Sequence, residues 1–97
     1  MNDTIWIHYA LPRSSWYELA DDARSELETR WKKIDSDAVE AGAEKIGTYF
    51  IRGQSDYSTT QVWSFPSYES AYEHWTAKVA AGYAEWFDFS NNVGRRT

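Results

Sequence analysis

The stretch "QVWSFPSYESAYEHW" (residues 61–75) places five aromatic rings and one histidine in fifteen positions. Its period changes at Pro66. Before it, Trp63 and Phe65 stand two residues apart and so share one face of a β-strand. After it, Tyr68, Tyr72 and Trp75 recur at the spacing of one helix face. The rings therefore form two surfaces that meet, as in a core or a pocket. Base stacking needs rings on the solvent side of a sheet beside a basic groove. Here fifteen Asp and Glu stand against ten Lys and Arg, a net charge of −5, and only Lys32–Lys33 and Arg95–Arg96 cluster. That balance argues against nucleic acid and anionic membrane as partners.

Working outward, "STTQVWSF" (58–65) reads as a strand running into the helix "PSYESAYEHWTAKVAAGYAEW" (66–86), capped by Ser67 or Ser70, with Ser70–Glu73 as a capping box. The stripe of that helix is Tyr68, Tyr72, Trp75, Val79 and Tyr83 or Trp86. Upstream, "EKIGTYFIRG" (44–53) is a strand joined to 58–65 across the hairpin connection "GQSDY" (53–57). "TIWIHYALP" (4–12) is β-branched and aromatic and stops at Pro12. Both of its faces are apolar, which predicts a strand covered on both sides. Between them, residues 14–42 read as one long helix with a Ser15–Glu18 capping box and the stripe Trp16, Ala20, Ala23, Leu27, Trp31, Ile34 and Ala38. Asp35-Ser36-Asp37 offers a break, and Gly42 a stop. "WFDFSN" (86–91) is a last strand before a polar tail. The order is βαββαβ, in a single domain over residues 1–97 with an ordered core of about 4–91 and a tail at 92–97.

The core is built from rings. Leu, Ile, Val and Phe number only 16, which with the net charge resembles a disordered composition. The 17 aromatic residues outweigh that resemblance, because each large ring buries roughly 150–250 Å². With no cysteine there is no disulfide, thiol nucleophile or thiolate metal site. No run approaches the roughly 20 apolar residues of a membrane span, and no signal-peptide pattern opens the chain, so a cytoplasmic protein is expected.

This order, with two-sided apolar strands, resembles the ferredoxin-like half of the dimeric α+β barrel superfamily, which includes antibiotic-biosynthesis-type monooxygenases, muconolactone isomerases and haem-degrading enzymes. Within it the chain resembles the darcynin family of small bacterial proteins at "WYELADDAR" (16–24), "TQVWSF" (60–65) leading into "SAY" (70–72), and "EWFDFSNNVG" (85–94). The resemblance implies an α+β, ferredoxin-like fold: a four-stranded antiparallel sheet with two helices on one face, paired as a homodimer. It does not fix an activity. Haem-degrading members resemble "AYEHWTAKV" (71–79) at Trp75, but their axial histidine falls where this chain has Tyr83, Ala84 or Glu85. No cofactor is expected on that ground.

Among residues that carry chemistry, His8 sits mid-strand between Trp6 and Ala10. It is either a general acid–base beside a pocket or a core histidine bonded to a backbone carbonyl. His74 flanks the second helix with Ala71 and Lys78 along its edge, either facing a ligand or partly in water. Two histidines without a carboxylate at ligand spacing make no metal site. Tyr49 and Arg52 are candidate hydrogen-bond partners for a substrate, although a strand-end arginine near Asp56 is also an ordinary surface pair. Arg24 lies off the apolar stripe and suits capping or intersubunit pairing. Asp21–Asp22 and Asp35–Asp37 read as solvated charge. No glycine-rich nucleotide loop or nucleophile elbow is present.

The expected function is binding of a small hydrophobic or aromatic molecule between sheet and helices, with Trp6, Trp63, Tyr72, His74 and Trp75 around it. A cofactor-independent proton transfer, isomerisation or oxygenation would use His8 as base, with Tyr49 and Arg52. The rival expectation is a non-catalytic binding or assembly module whose rings are all core. A cavity touching His8 separates the two.

Overall fold

The architecture is seen in a computed structural model that describes residues 2–53 and 56–97. β1 (Thr4–Pro12) takes an inner place in a four-stranded antiparallel sheet, and of the two covered faces expected for it only the helix side is fully buried. Its neighbours are β3 (Thr59–Phe65) and β4 (Phe87–Arg95). β2 (Glu44–Phe50) pairs with the far side of β3, so the order is β2-β3-β1-β4. The register sets Trp6 against Trp63 and His8 against Gln61. From the other side it sets Val93 and Asn91 against the same two residues of β1.

Two longer helices, α2 (Asp21–Glu40) and α3 (Tyr68–Ala80), and two short ones, α1 (Ser14–Glu18) and α4 (Tyr83–Trp86), complete the chain. Thr4, Trp6, His8 and Ala10 point toward the helices and are buried. Trp6, Trp63 and Phe65 pack there against Ala43, Ala71, Ala38 and Trp75. A second cluster joins Trp16, Trp31 and Tyr83 to Leu27, Ile34, Trp86 and Phe87. Burying a Phe-sized ring contributes about 1.5–3 kcal/mol, which is how rings compensate for the small aliphatic supply. Ile5, Ile7, Tyr9 and Leu11 point to the other face, where Ile5 and Leu11 stay 38% and 36% exposed. The fold is α+β and ferredoxin-like, as the element order predicted.

Several local expectations need correction. Residues 14–42 are two helices, parted at Leu19–Ala20, where the backbone is extended. Asp35-Ser36-Asp37 breaks nothing and lies inside α2. The Ser15–Glu18 box does not form, because the N-cap position falls on Arg13. Arg24 holds the break instead. Its guanidinium donates to the carbonyls of Leu19 (2.8 Å) and Tyr17 (3.2 Å) and to the Asp21 carboxylate, satisfying acceptors that the end of α1 leaves open.

α3 starts from Ser67, whose Oγ accepts from Ser70 N (3.1 Å) while Ser67 N donates to Ser70 Oγ (3.2 Å). That arrangement already uses Ser70 as the far side of the box, so Ser70–Glu73 is not one. Gly82, at φ +87, turns the chain left-handed and separates α3 from α4.

Of the expected ringed stripe of α3, Trp75 packs on the core but the two tyrosines do not. Ala71, His74 and Lys78 are buried, whereas Tyr68, Tyr72 and Val79 are 51%, 59% and 42% exposed. The sheet beneath presents the buried rings of Trp6 and Trp63, and the small Ala71 and flat His74 fit against them where a tyrosine would not. β4 also runs past the expected end. Asn92, Val93, Gly94 and Arg95 pair with Ile7, Trp6, Ile5 and Thr4, so most of the supposed tail at 92–97 is strand. Ladder bonds need only backbone, and the open side of β1 supplies partners to a polar segment. β2 ends at Phe50 and β3 begins at Thr59. The hairpin connection at 53–57 includes Gln54 and Ser55, which lie outside the described residues. Among the described residues, no helix is long and apolar enough to cross a membrane.

Candidate functional site

His8 is held at both ring nitrogens. β1 aims it at the helices, β4 brings Asn91 opposite it, and the turn at Gly82 places Tyr83 over it. Nδ1 lies 2.6 Å from Asn91 Oδ1, and Nε2 lies 2.8 Å from Tyr83 Oη. Its partners are thus side chains and not the backbone carbonyl expected of a plain core histidine. Trp6 stacks on the ring at 5.1 Å between centroids, and Trp75 stands 5.3 Å away. Burial lowers the imidazole from 6.5 to about 4, against an opposing contribution from the Asn91 bond, so His8 is neutral at pH 7. The same burial pushes the Tyr83 phenol up, and it keeps its proton.

A second buried group lies between the helices. Asp35 Oδ1 accepts from His74 Nε2 (2.8 Å) and from Lys78 Nζ (3.0 Å). Burial alone would raise the Asp35 carboxyl, but the His74 bond and the Lys78 charge outweigh it and hold it below the carboxylate range. Burial lowers Lys78, with Asp35 opposing. Lys78 Nζ also lies 5.1 Å from the centre of the Tyr83 ring, which brings the two groups together. His74 is 5% exposed, not partly in water, and its Nδ1 is buried without a hydrogen-bond partner among the described residues. The reading of Asp35 as solvated charge is likewise corrected. Asp37, two residues on, does sit at the surface, paired with Lys33 at 3.2 Å.

The other candidates divide between the faces of the sheet. Trp6, His8, Trp63, His74 and Trp75 gather on the helix side. Tyr72 stands at the rim of α3. Tyr49 and Arg52 do not join them. Tyr49 pairs with Thr60, one position out of phase with Gln61 and His8, so its ring stands on the outer face. It lies so close over Gly47 that a Cβ there would come within 2.6 Å of its hydroxyl. Arg52 is exposed beyond the end of β2. The trio His8, Tyr49 and Arg52 is therefore not one site.

α3 and β4 enclose a crevice of about 160 Å³ lined by Trp6, Tyr68, Tyr72, Trp75, Asn91 and Val93. His8 does not line it. Trp6 and Asn91, which touch His8, form that wall. A groove of about 230 Å³ between α2 and α3 is lined by Ile34, Ala38, Phe65 and Ala77, with His74 in its wall. An open trough of about 920 Å³ runs beside the chain ends, between Asn2, Ile5, Glu44 and Arg95. Its openness and mixed polarity suit a surface channel more than a binding cavity. Among the described residues, no three of His, Asp and Glu come together as a metal site.

Sequence reasoning passed over Asn91, Tyr83, Asp35 and Lys78. The spacing of Ala71, His74 and Lys78 was a usable signal for a buried polar edge on α3. Asn91 and Asp35 had none, because their partners lie far away in sequence.

With this geometry in view, the chain is similar in structure to chlorite dismutase from Candidatus Nitrospira defluvii in complex with imidazole. The TM-score is 0.79 at 12% identity, over 99% of this chain and 41% of that one. It is also similar to a heme-binding protein from Thermus thermophilus, at a TM-score of 0.76 and 14% identity, over 95% of this chain and 39% of that one. The likeness is one of fold. The chain spans about two fifths of the length of these proteins. No protein-family model and no curated protein matches it.

Proposed function

We propose that this domain binds a small planar apolar molecule, about one aromatic ring in size, in the crevice between α3 and β4. The observation that carries the reading is the crevice: about 160 Å³ with Trp6, Tyr68, Tyr72 and Trp75 for walls and Asn91 as its amide. An apolar cavity of about 150 Å³ accepts benzene, and ringed walls with few polar groups are the usual make-up of a small-molecule site.

Binding is favoured over catalysis. His8, the side chain best suited to move a proton, is 2% exposed and lends both nitrogens to protein partners. With a value of about 4 it is also a weak base at neutral pH. Haem, which the fold relatives raise, does not fit. Trp6, Trp63 and Phe65 fill the space between sheet and helices at 2% exposure or less. The Nε2 atoms of His8 and His74 are engaged by Tyr83 and Asp35, and position 83 offers a phenol already bonded to His8.

The domain works as a homodimer in this reading, stacking the outer faces of two sheets. Ile5, Leu11, Ile46 and Tyr49 are all at least 36% exposed there or at its edge, a patch that a second copy would cover. The motifs at 16–24, 60–65 and 85–94 support a darcynin-like member of the superfamily.

The test is a thermal-shift and tryptophan-quenching panel of single-ring aromatics, larger polyphenols and nucleotides. A ligand at a hundred times its dissociation constant adds about 2.7 kcal/mol, several degrees for a domain of this size. Single rings should shift the transition and nucleotides should not. A panel in which no aromatic compound shifts it leaves the rings as packing alone.

A further inference from the structure

We infer that the crevice selects ligands carrying a hydrogen-bond acceptor, because the chain Tyr83–His8–Asn91 turns the Asn91 amide so that its NH2 group faces the ligand. The inference rests on the crevice being the binding site proposed above.

The chain of bonds has one self-consistent direction. Tyr83 is 5% exposed, and among the described residues its hydroxyl has one hydrogen-bond partner, His8 Nε2. A phenol accepting from that nitrogen would bury its own hydrogen unpaired, at the cost of an unmade bond. Tyr83 therefore donates, and Nε2 is the bare nitrogen. The neutral ring then carries its hydrogen on Nδ1, which needs an acceptor at 2.6 Å. On Asn91 only the carbonyl oxygen can serve. With Oδ1 committed inward, Nδ2 is left over, and it makes no hydrogen bond among the described residues. The crevice wall also carries the hydroxyls of Tyr68 and Tyr72 on its half-exposed rim and the indole N–H groups of Trp6 and Trp75, which can only donate. A ligand with an acceptor completes Nδ2. A ligand with only donors meets like polarity and leaves Nδ2 unpaired.

Titration calorimetry of the full chain with benzonitrile, aniline and toluene, three rings of similar size, tests this. Benzonitrile should bind roughly tenfold more tightly than toluene, the range of one well-placed hydrogen bond, and aniline no more tightly than toluene. In the wild-type protein, the Asn91 side-chain amide protons should move downfield with benzonitrile relative to their position with toluene. Asn91→Asp, which shows an oxygen to the crevice, should reverse the order. Tyr83→Phe frees His8 to move its hydrogen to Nε2, and the benzonitrile-to-aniline ratio should fall toward one with toluene unchanged. Equal binding of the three probes, a preference for aniline, or an unchanged ratio in Tyr83→Phe overturns the inference and leaves the crevice as the site. No binding by any probe, toluene included, overturns the proposed site and the inference with it.

Discussion

Lys78 Nζ lies 3.0 Å from Asp35 Oδ1, which ties α3 to α2 through an ion pair whose lysine side chain is 5% exposed. His74 donates to the same oxygen. His74 and Lys78 are thus taken out of water in a 97-residue domain, and the partly exposed Asp35 offsets much of their desolvation.

Breaking that group from one side should be costly. Asp35→Asn leaves Lys78 buried without its counter-charge and is expected to destabilise by about 3–5 kcal/mol, lowering the melting temperature by more than about 10 °C. Asp35→Leu with Lys78→Met replaces charge by packing and should recover most of the loss. Thermal unfolding followed by circular dichroism measures both. If Asp35→Asn melts within about two degrees of wild type, a small fraction of that expected shift, the pair does not hold the helices together.

Stability should fall on acidification over a window set by His8. The unfolded chain takes up a proton on this residue near pH 6.5, while the folded chain refuses it until about pH 4. The contribution of His8 is therefore complete above pH 6.5 and is lost as the pH drops toward 4, by up to roughly 3 kcal/mol. Tyr83 acts at the other end. Its raised phenol keeps a proton that the unfolded chain gives up near pH 10.0, so stability is lost above that pH. Urea unfolding at closely spaced pH steps follows both limbs, and His8→Phe should flatten the acid limb between pH 6.5 and 4. A wild-type curve that is level through that window contradicts the burial of a neutral His8.

The proposed homodimer is measurable directly. Light scattering behind size exclusion at micromolar concentration should give twice the 11.3 kDa chain mass. Leu11→Asp, placed on the half-exposed outer face of β1, should give a folded monomer of unchanged circular dichroism. A wild-type protein that elutes as a monomer rules out sheet stacking.

Haemin added to the apo-protein should keep the absorption spectrum it has in buffer, because neither histidine presents an accessible nitrogen and rings occupy the space beneath the helices. A sharpened, shifted Soret band that His74→Ala abolishes would mean that the core opens far enough to ligate iron.

Residues 4–12 and 61–75 carried most of the architecture. The β-branched and aromatic run Thr4–Pro12 marked a strand, and the change of period at Pro66 marked a strand passing into a helix. Those are local properties: a two-residue or 3.6-residue repeat is written into the order of side chains and needs no partner to be read. The off-stripe position of Arg24 likewise suited capping or intersubunit pairing, and in the fold it meets the end of α1.

Tertiary structure decided the site. Tyr72 and Ala71 are neighbours on α3, and no local repeat says which of two apolar edges will turn inward. Trp6 and Trp63 decide it, because their rings leave room beneath α3 for an alanine and an imidazole but not for a row of tyrosines. Lys78 is tolerable inside only because Asp35, 43 residues away, arrives beside it. The polar run Asn91–Arg95 becomes strand because β1 has an open side to offer, and that pairing alone sets Asn91 against His8. Each of these outcomes depends on a contact between distant segments, and the free energy of such a contact is absent from either segment taken alone.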